Sequence, residues 1–121
     1  MTRPLSRSEF ERVVEEALES LPARFADLLH NVIVTVEEEP SDDDYENIED
    51  DDHDSELLGI YRGVAFTERE HDMTMLPDEV VIFRGPINRL SRTRAEAVHE
   101  VRKTVIHELG HFFGLDDDEL P

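Results

Sequence analysis

The final third of the chain carries the pattern that most restricts its fold. From Thr93 to about Phe113 the apolar residues recur at helical spacing. At about 100° per residue, Val98, Val101, Val105, Leu109 and Phe112 fall on one face, flanked by Ile106 and Phe113. A helix with such a stripe needs an apolar layer to lay it against. His107 and His111 fall on roughly the opposite side of the same wheel, with Glu108 between them and the stripe. A pair of core histidines would sit inside the stripe, and these do not. Thr93 or Ser91 supplies the N-terminal cap. Gly114 lets the chain leave the helix through a left-handed turn, which costs other residues a side-chain penalty.

The polar side of that helix has a chemical reading. Two His four residues apart lie one turn above each other and can grip one cation. A Glu directly after the first His is placed to polarise a water on that cation. Reversal at Gly114 brings back a run of carboxylates, Asp116, Asp117 and Asp118, whose spacing alone does not choose between them. The reversal could bring Asp117 back as a third ligand, or these acids stay solvated and a water takes that place. The chain has no Cys, so zinc has only His and carboxylate to bind. Three protein ligands with an open fourth position is the arrangement of a catalytic zinc, whereas closed structural sites use four. The expected centre is therefore one Zn2+ per chain on His107, His111 and Asp117, with Glu108 as general base.

At 121 residues the chain is expected to form a single domain, residues 1–121, with a modest hydrophobic core. It contains no run of 18 apolar residues, so no transmembrane helix is expected. The opening Met1-Thr2-Arg3-Pro4-Leu5 leads into a charged amphipathic pattern without an apolar signal core, which points to the cytoplasm. A formal net charge of −19 argues against nucleic acid or an anionic membrane as partner. Nothing in the sequence specifies an oligomeric state.

The remaining elements follow from periodicity and punctuation. Ser6 or Ser8 caps a first helix with Glu9 and Glu11 in its opening turn, and Phe10, Val13, Val14, Ala17, Leu18 and Leu21 repeat at helical spacing. Pro22 suits the first turn of a short second helix carrying Phe25, Leu28 and Leu29. Asn31 to Val36 is β-branched and reads as a buried strand. Residues 37–56 hold thirteen acidic side chains and no Lys or Arg, and are expected to form a flexible acidic loop inserted within the domain. They contain no Gly, which argues against a calcium loop. Leu57 to Phe66 reads as a strand or hairpin arm, with Gly59 and Gly63 allowing a bend or close backbone approach. Glu79 to Arg84 reads as the clearest second strand, stopped by Gly85-Pro86, and Ile87 to Leu90 as one helical turn. The order predicts an α+β fold: a small mixed or antiparallel sheet of about three strands, two N-terminal helices, and the long C-terminal helix packed on one face.

With these residues in view, the sequence resembles the small bacterial zincin-like metallopeptidases. The resemblance runs through Phe10-Glu11-x-x-Val14-Glu15-Glu16-Ala17-Leu18, Leu21-Pro22, Leu58-Gly59-Ile60-Tyr61-x-Gly63, Leu76-Pro77-Asp78 and Phe83-Arg84-Gly85-Pro86. It closes with Thr104 to Leu120, the most specific stretch. It implies a minimal zincin, a short sheet with the active-site helix beneath it. The HExxHxxGxxD pattern also looks like that of the metzincins, with Asp117 where most of those enzymes carry a third His. A Met-containing turn beyond the third ligand is not expected here, because the chain ends at Pro121, four residues past Asp117.

The expected activity is zinc-dependent hydrolysis of peptide bonds in a peptide or protein substrate. Arg84 or Tyr61 could serve as a second oxyanion donor, though a structural role suits either better. Substrate would lie extended along an exposed strand edge, around Val80 to Phe83. Two other functions fit the same residues: a non-catalytic, metal-braced module that binds protein, or a metal-dependent hydrolase of a non-peptide amide or ester.

Overall fold

The computed structural model describes residues 4–46, 56–62 and 78–112, with the side chains of Asn31, Glu46, His111 and Phe112 left undescribed. Helix α1 spans Arg7–Glu19, α2 spans Ala23–Leu28 and runs into a 3-10 turn at Leu29–Asn31, and strand β1 is Val32–Glu37. A short helix α3, Asp42–Glu46, is followed by β2, Gly59–Arg62, and β3, Asp78–Phe83. Helices α4, Arg84–Leu90, and α5, Arg94–Phe112, complete the described elements. The fold is α+β, as the sequence predicts.

Ser6 is the cap of α1. Its hydroxyl accepts from the Glu9 amide at 3.2 Å, and the Glu9 carboxylate accepts from the Ser6 amide at 3.1 Å. This reciprocal pair satisfies two amides that the first turn cannot. The helix then buries Phe10, Val13, Val14 and Ala17. Burial of a large apolar side chain is worth about 1.5–3 kcal/mol and a cap about 1 kcal/mol, so packing holds α1 and the cap sets where it starts.

The three strands form one mixed sheet in the order β1-β3-β2, with β1 parallel and β2 antiparallel to β3. Side chains alternate along each strand. One face presents Val32, Val80 and Ile82, which join the main core with α1, Phe25 of α2, Ile87 of α4 and the apolar stripe of α5. In that stripe Val101, Val105 and Leu109 are fully buried, as their periodicity predicts, and Ala97 joins them. The other face presents Arg62, Glu79, Thr35, Glu37, Val81 and Phe83 in register, and Val81 and Phe83 are also fully buried.

Two expectations about the strands are corrected. The run beginning at Asn31 does not become a buried strand: β1 is bordered on one side only among the described residues, and Ile33 is 46% exposed. The strand covered on both sides is β3, so Val80 to Phe83 offers no edge to an incoming peptide. Composition marks a strand but not its place in the sheet, and β1 and β3 meet only through parallel pairing at long range.

The strand ends at Phe83, next to Gly85-Pro86 as the sequence predicts, but the helix that follows starts at Arg84 rather than Ile87, so Gly85-Pro86 lies in the first turn of α4. Pro lacks an amide hydrogen, and the first helical turn has no internal partner for one. The Gly85 amide instead donates to the Glu38 carbonyl at 2.9 Å. Asn88 of α4 clips Leu5 from both sides, accepting from its amide and donating to its carbonyl, each at 3.2 Å.

The acidic stretch is partly a built element. Ser41 and Asp44 cap α3, with the Ser41 amide donating to Asp44 Oδ2 at 2.9 Å. Arg62 of β2 donates to both Asp44 oxygens at 2.8 and 3.0 Å, and to Glu37 at 2.8 and 3.2 Å. Arg84 grips Glu38, and Arg89 pairs with Glu39 and Glu56. The self-repulsion expected of residues 37–56 is offset at these points by arginines from β2 and α4. Residues 47–55 lie outside the described set, as do 63–77.

Candidate metal-binding helix

Helix α5 is capped by Thr93, whose hydroxyl oxygen accepts from the Glu96 amide at 3.1 Å. The Glu96 carboxylate reaches back to the Arg92 amide at 2.6 Å. The cap fixes the helical phase of every residue downstream. Along the opposite side from the stripe, Lys103 and His107 are exposed, and Glu108 is half-buried between the two environments.

Thr104 locates that polar side relative to the sheet. It is buried, and its methyl carbon lies against Gly59, where a Cβ would stand 2.6 Å away. Residues three and four apart share a helix face, so Thr104, His107, Glu108 and His111 form one line along α5, and that line starts at contact with β2. The His-Glu pair therefore stands one turn beyond the contact between α5 and β2.

The backbone of α5 is continuous through His111, one turn beyond His107, as cation binding by the pair requires. The His111 side chain and residues 113–121 lie outside the described set. That places Gly114 and the candidate third ligand Asp117, with its neighbours Asp116 and Asp118, beyond what the structure shows. Among the described residues no three His, Asp or Glu side chains converge on one point. The donor chemistry that is present suits zinc: an exposed imidazole, a carboxylate beside it, a second His a turn later, and no thiolate to close the shell.

The two residues considered as oxyanion donors have structural partners. The Tyr61 hydroxyl donates to Asp78 Oδ2 at 2.8 Å, within the sheet. Arg84 is held by Glu38, to which its Nε donates at 3.0 Å, and by the Leu5 carbonyl. Hydrogen bonding to Glu38 holds the Arg84 guanidinium above its ordinary pKa, and the same pair holds Glu38 below its own.

Sequence reasoning missed Arg62, which joins β1, β2 and α3. The hydrogen bonds it donates to Glu37, then to Asp44, push its pKa upward against the cost of burial. The available signal was its position: one Arg on a strand that follows a run of thirteen acids.

No helix among the described residues is long and apolar enough to cross a membrane. No curated protein matches the chain. Among solved structures it is similar to a conserved hypothetical protein from Thermo thermophilus, at 22% identity and a TM-score of 0.56 over 90% of this chain and 94% of that one. That likeness shows the fold. The family model described as zincin-like metallopeptidase matches residues 29–121, from the end of α2 through β1, β2, β3 and the HExxH helix. The chain belongs to the zincin-like metallopeptidase family.

Proposed function

We propose that the protein is a zinc-dependent peptidase, with one metal per chain held by His107, His111 and Asp117 and with Glu108 as general base. The observation that carries this reading is the line from Thr104 through His107 and Glu108, which begins at the contact of α5 with β2 and runs from buried Thr104 to exposed His107. Zinc held there would supply Lewis acidity, lowering the pKa of water to about 7 and polarising the scissile carbonyl.

Glu108 takes the proton of the attacking water and later delivers it to the leaving amine nitrogen. The substrate lies extended along β2. Among the described residues that strand is bordered on one side only, by β3. Backbone hydrogen bonds along a strand bind a peptide with little regard to sequence, and pockets for alternate side chains then select it.

The test is metal content set beside turnover. Purified wild-type protein is expected to carry about one zinc per chain, the number a three-ligand catalytic site takes, and His111→Ala none. Glu108→Gln should keep its zinc and lose about 10²–10⁴-fold in kcat on a peptide library. Protein that neither carries nor takes up zinc ends the proposal. Unchanged hydrolysis in Glu108→Gln removes the general base, and hydrolysis confined to small amides or esters moves the activity to another substrate class.

A further inference from the structure

We infer that Gly59 and Thr104 form a spacer that sets the gap between β2 and the His107–Glu108 line of α5, which makes Gly59 a positioning residue for hydrolysis. The inference rests on the peptidase reading for its catalytic consequence, but the contact itself does not. A Cβ at position 59 would stand 2.6 Å from Thr104 Cγ2, 2.8 Å from the Val81 carbonyl oxygen and 3.3 Å from Ile82 Cδ1. None of these neighbours yields easily. The Val81 oxygen belongs to the central strand, and Ile82 is fully buried.

Thr104 is fixed by its own hydroxyl, which donates to the Glu100 carbonyl one turn back at 2.7 Å. That bond selects the rotamer and turns the methyl toward the strand. Strand and helix are thus in contact at a place where only hydrogen fits. Glu108 stands one turn further along the same face. Any side chain at 59 has to shift β2 against β3 and α5 away from β2, and a displacement of about 1 Å near reacting groups costs on the order of 100-fold in rate. Metal affinity should be spared, because the proposed ligands all lie on α5 and the segment that follows it.

The experiment combines NMR with kinetics on full-length wild type, Gly59→Ala, Thr104→Ser and the double variant. In the wild type, a cross-peak between the Thr104 methyl and the Gly59 α protons is expected with or without zinc. Gly59→Ala should shift the amides of residues 59–62 and 104–108 together. On a peptide substrate its kcat should fall about 100-fold with a smaller change in KM and with zinc affinity unchanged. The double variant, relieved of the methyl, should recover at least part of that loss.

A Gly59→Ala protein that keeps wild-type kcat, or a double variant with no recovery, overturns the spacer. Should Gly59→Ala fail to fold, Thr104→Ser decides: it keeps the hydroxyl bond and removes the spacing atom, so unchanged kcat overturns the inference. Should the wild type neither bind zinc nor cleave peptide, the peptidase reading falls, and the spacer is judged by NMR alone. A missing cross-peak, or unmoved amides in Gly59→Ala, then ends it.

Discussion

Asp44 shows how one carboxylate can be held in an acidic stretch. Burial by itself would raise its pKa, but hydrogen bonds from Ser41 and the Arg62 guanidinium outweigh it and hold the carboxyl below its ordinary value. A carboxylate whose pKa is lowered by folding contributes stability that is complete above the unfolded value of about 3.9. That contribution disappears as pH falls through the folded value. Asp44→Asn is therefore expected to cost about 1–3 kcal/mol at neutral pH and to show a shallower loss of stability on acidification. Urea titrations of both proteins across the acid range measure this, and equal slopes below about pH 4 would exclude the mechanism. At this scale the sequence was partly legible. Ser6 and Thr93 are recognisable as caps because short hydroxyl side chains precede Glu three residues on. Arg62 and Asp44 are 18 residues apart, and no local rule joins them.

Among the elements, β3 has the most to lose from substitution. It is paired on both sides, and Val80, Val81, Ile82 and Phe83 are all fully buried. Ile82→Ala removes packing against both α5 and the sheet and is expected to cost about 2–5 kcal/mol, read from the urea midpoint at constant m-value. Ile33→Ala on β1, at a half-exposed position, should cost far less. A similar loss at both sites would contradict the assigned strand order. Helices were the easier elements to read, because an amphipathic period names both the element and its buried face. Val101, Val105 and Leu109 confirm the phase of α5, and Phe10, Val13 and Ala17 that of α1. Sheet order was not legible, since a β-branched run looks the same at an edge and at the centre. The end of β3 at Gly85-Pro86 was legible, but the start of α4 was placed three residues late, because Pro breaks a helix interior yet suits its first turn.

For the whole molecule, charge is the dominant departure from an ordinary domain. The chain holds 31 acidic and 12 basic side chains, for a formal net charge of −19. Exposed ion pairs such as Arg89 with Glu39 contribute about 0–1 kcal/mol each, and salt screens them and the general repulsion alike. Repulsion involves more groups, so raising salt from about 0.05 to 0.5 M should raise Tm by several degrees, the scale that about 1 kcal/mol implies in a domain of this size. A fall in Tm would mean that the arginine pairs dominate. Composition made the excess of charge plain, but which acids the arginines would hold depended on the fold.

The clip between Leu5 and Asn88 spans 83 positions. Helix α1 likewise finds its principal partner in α5. During synthesis on the ribosome, α1 lacks its principal partner until α5 has emerged. Until then Phe10, Val13, Val14 and Leu18 lack the cover that α5 gives them. A nascent polypeptide arrested before residue 88 should therefore remain sensitive to protease along its entire length.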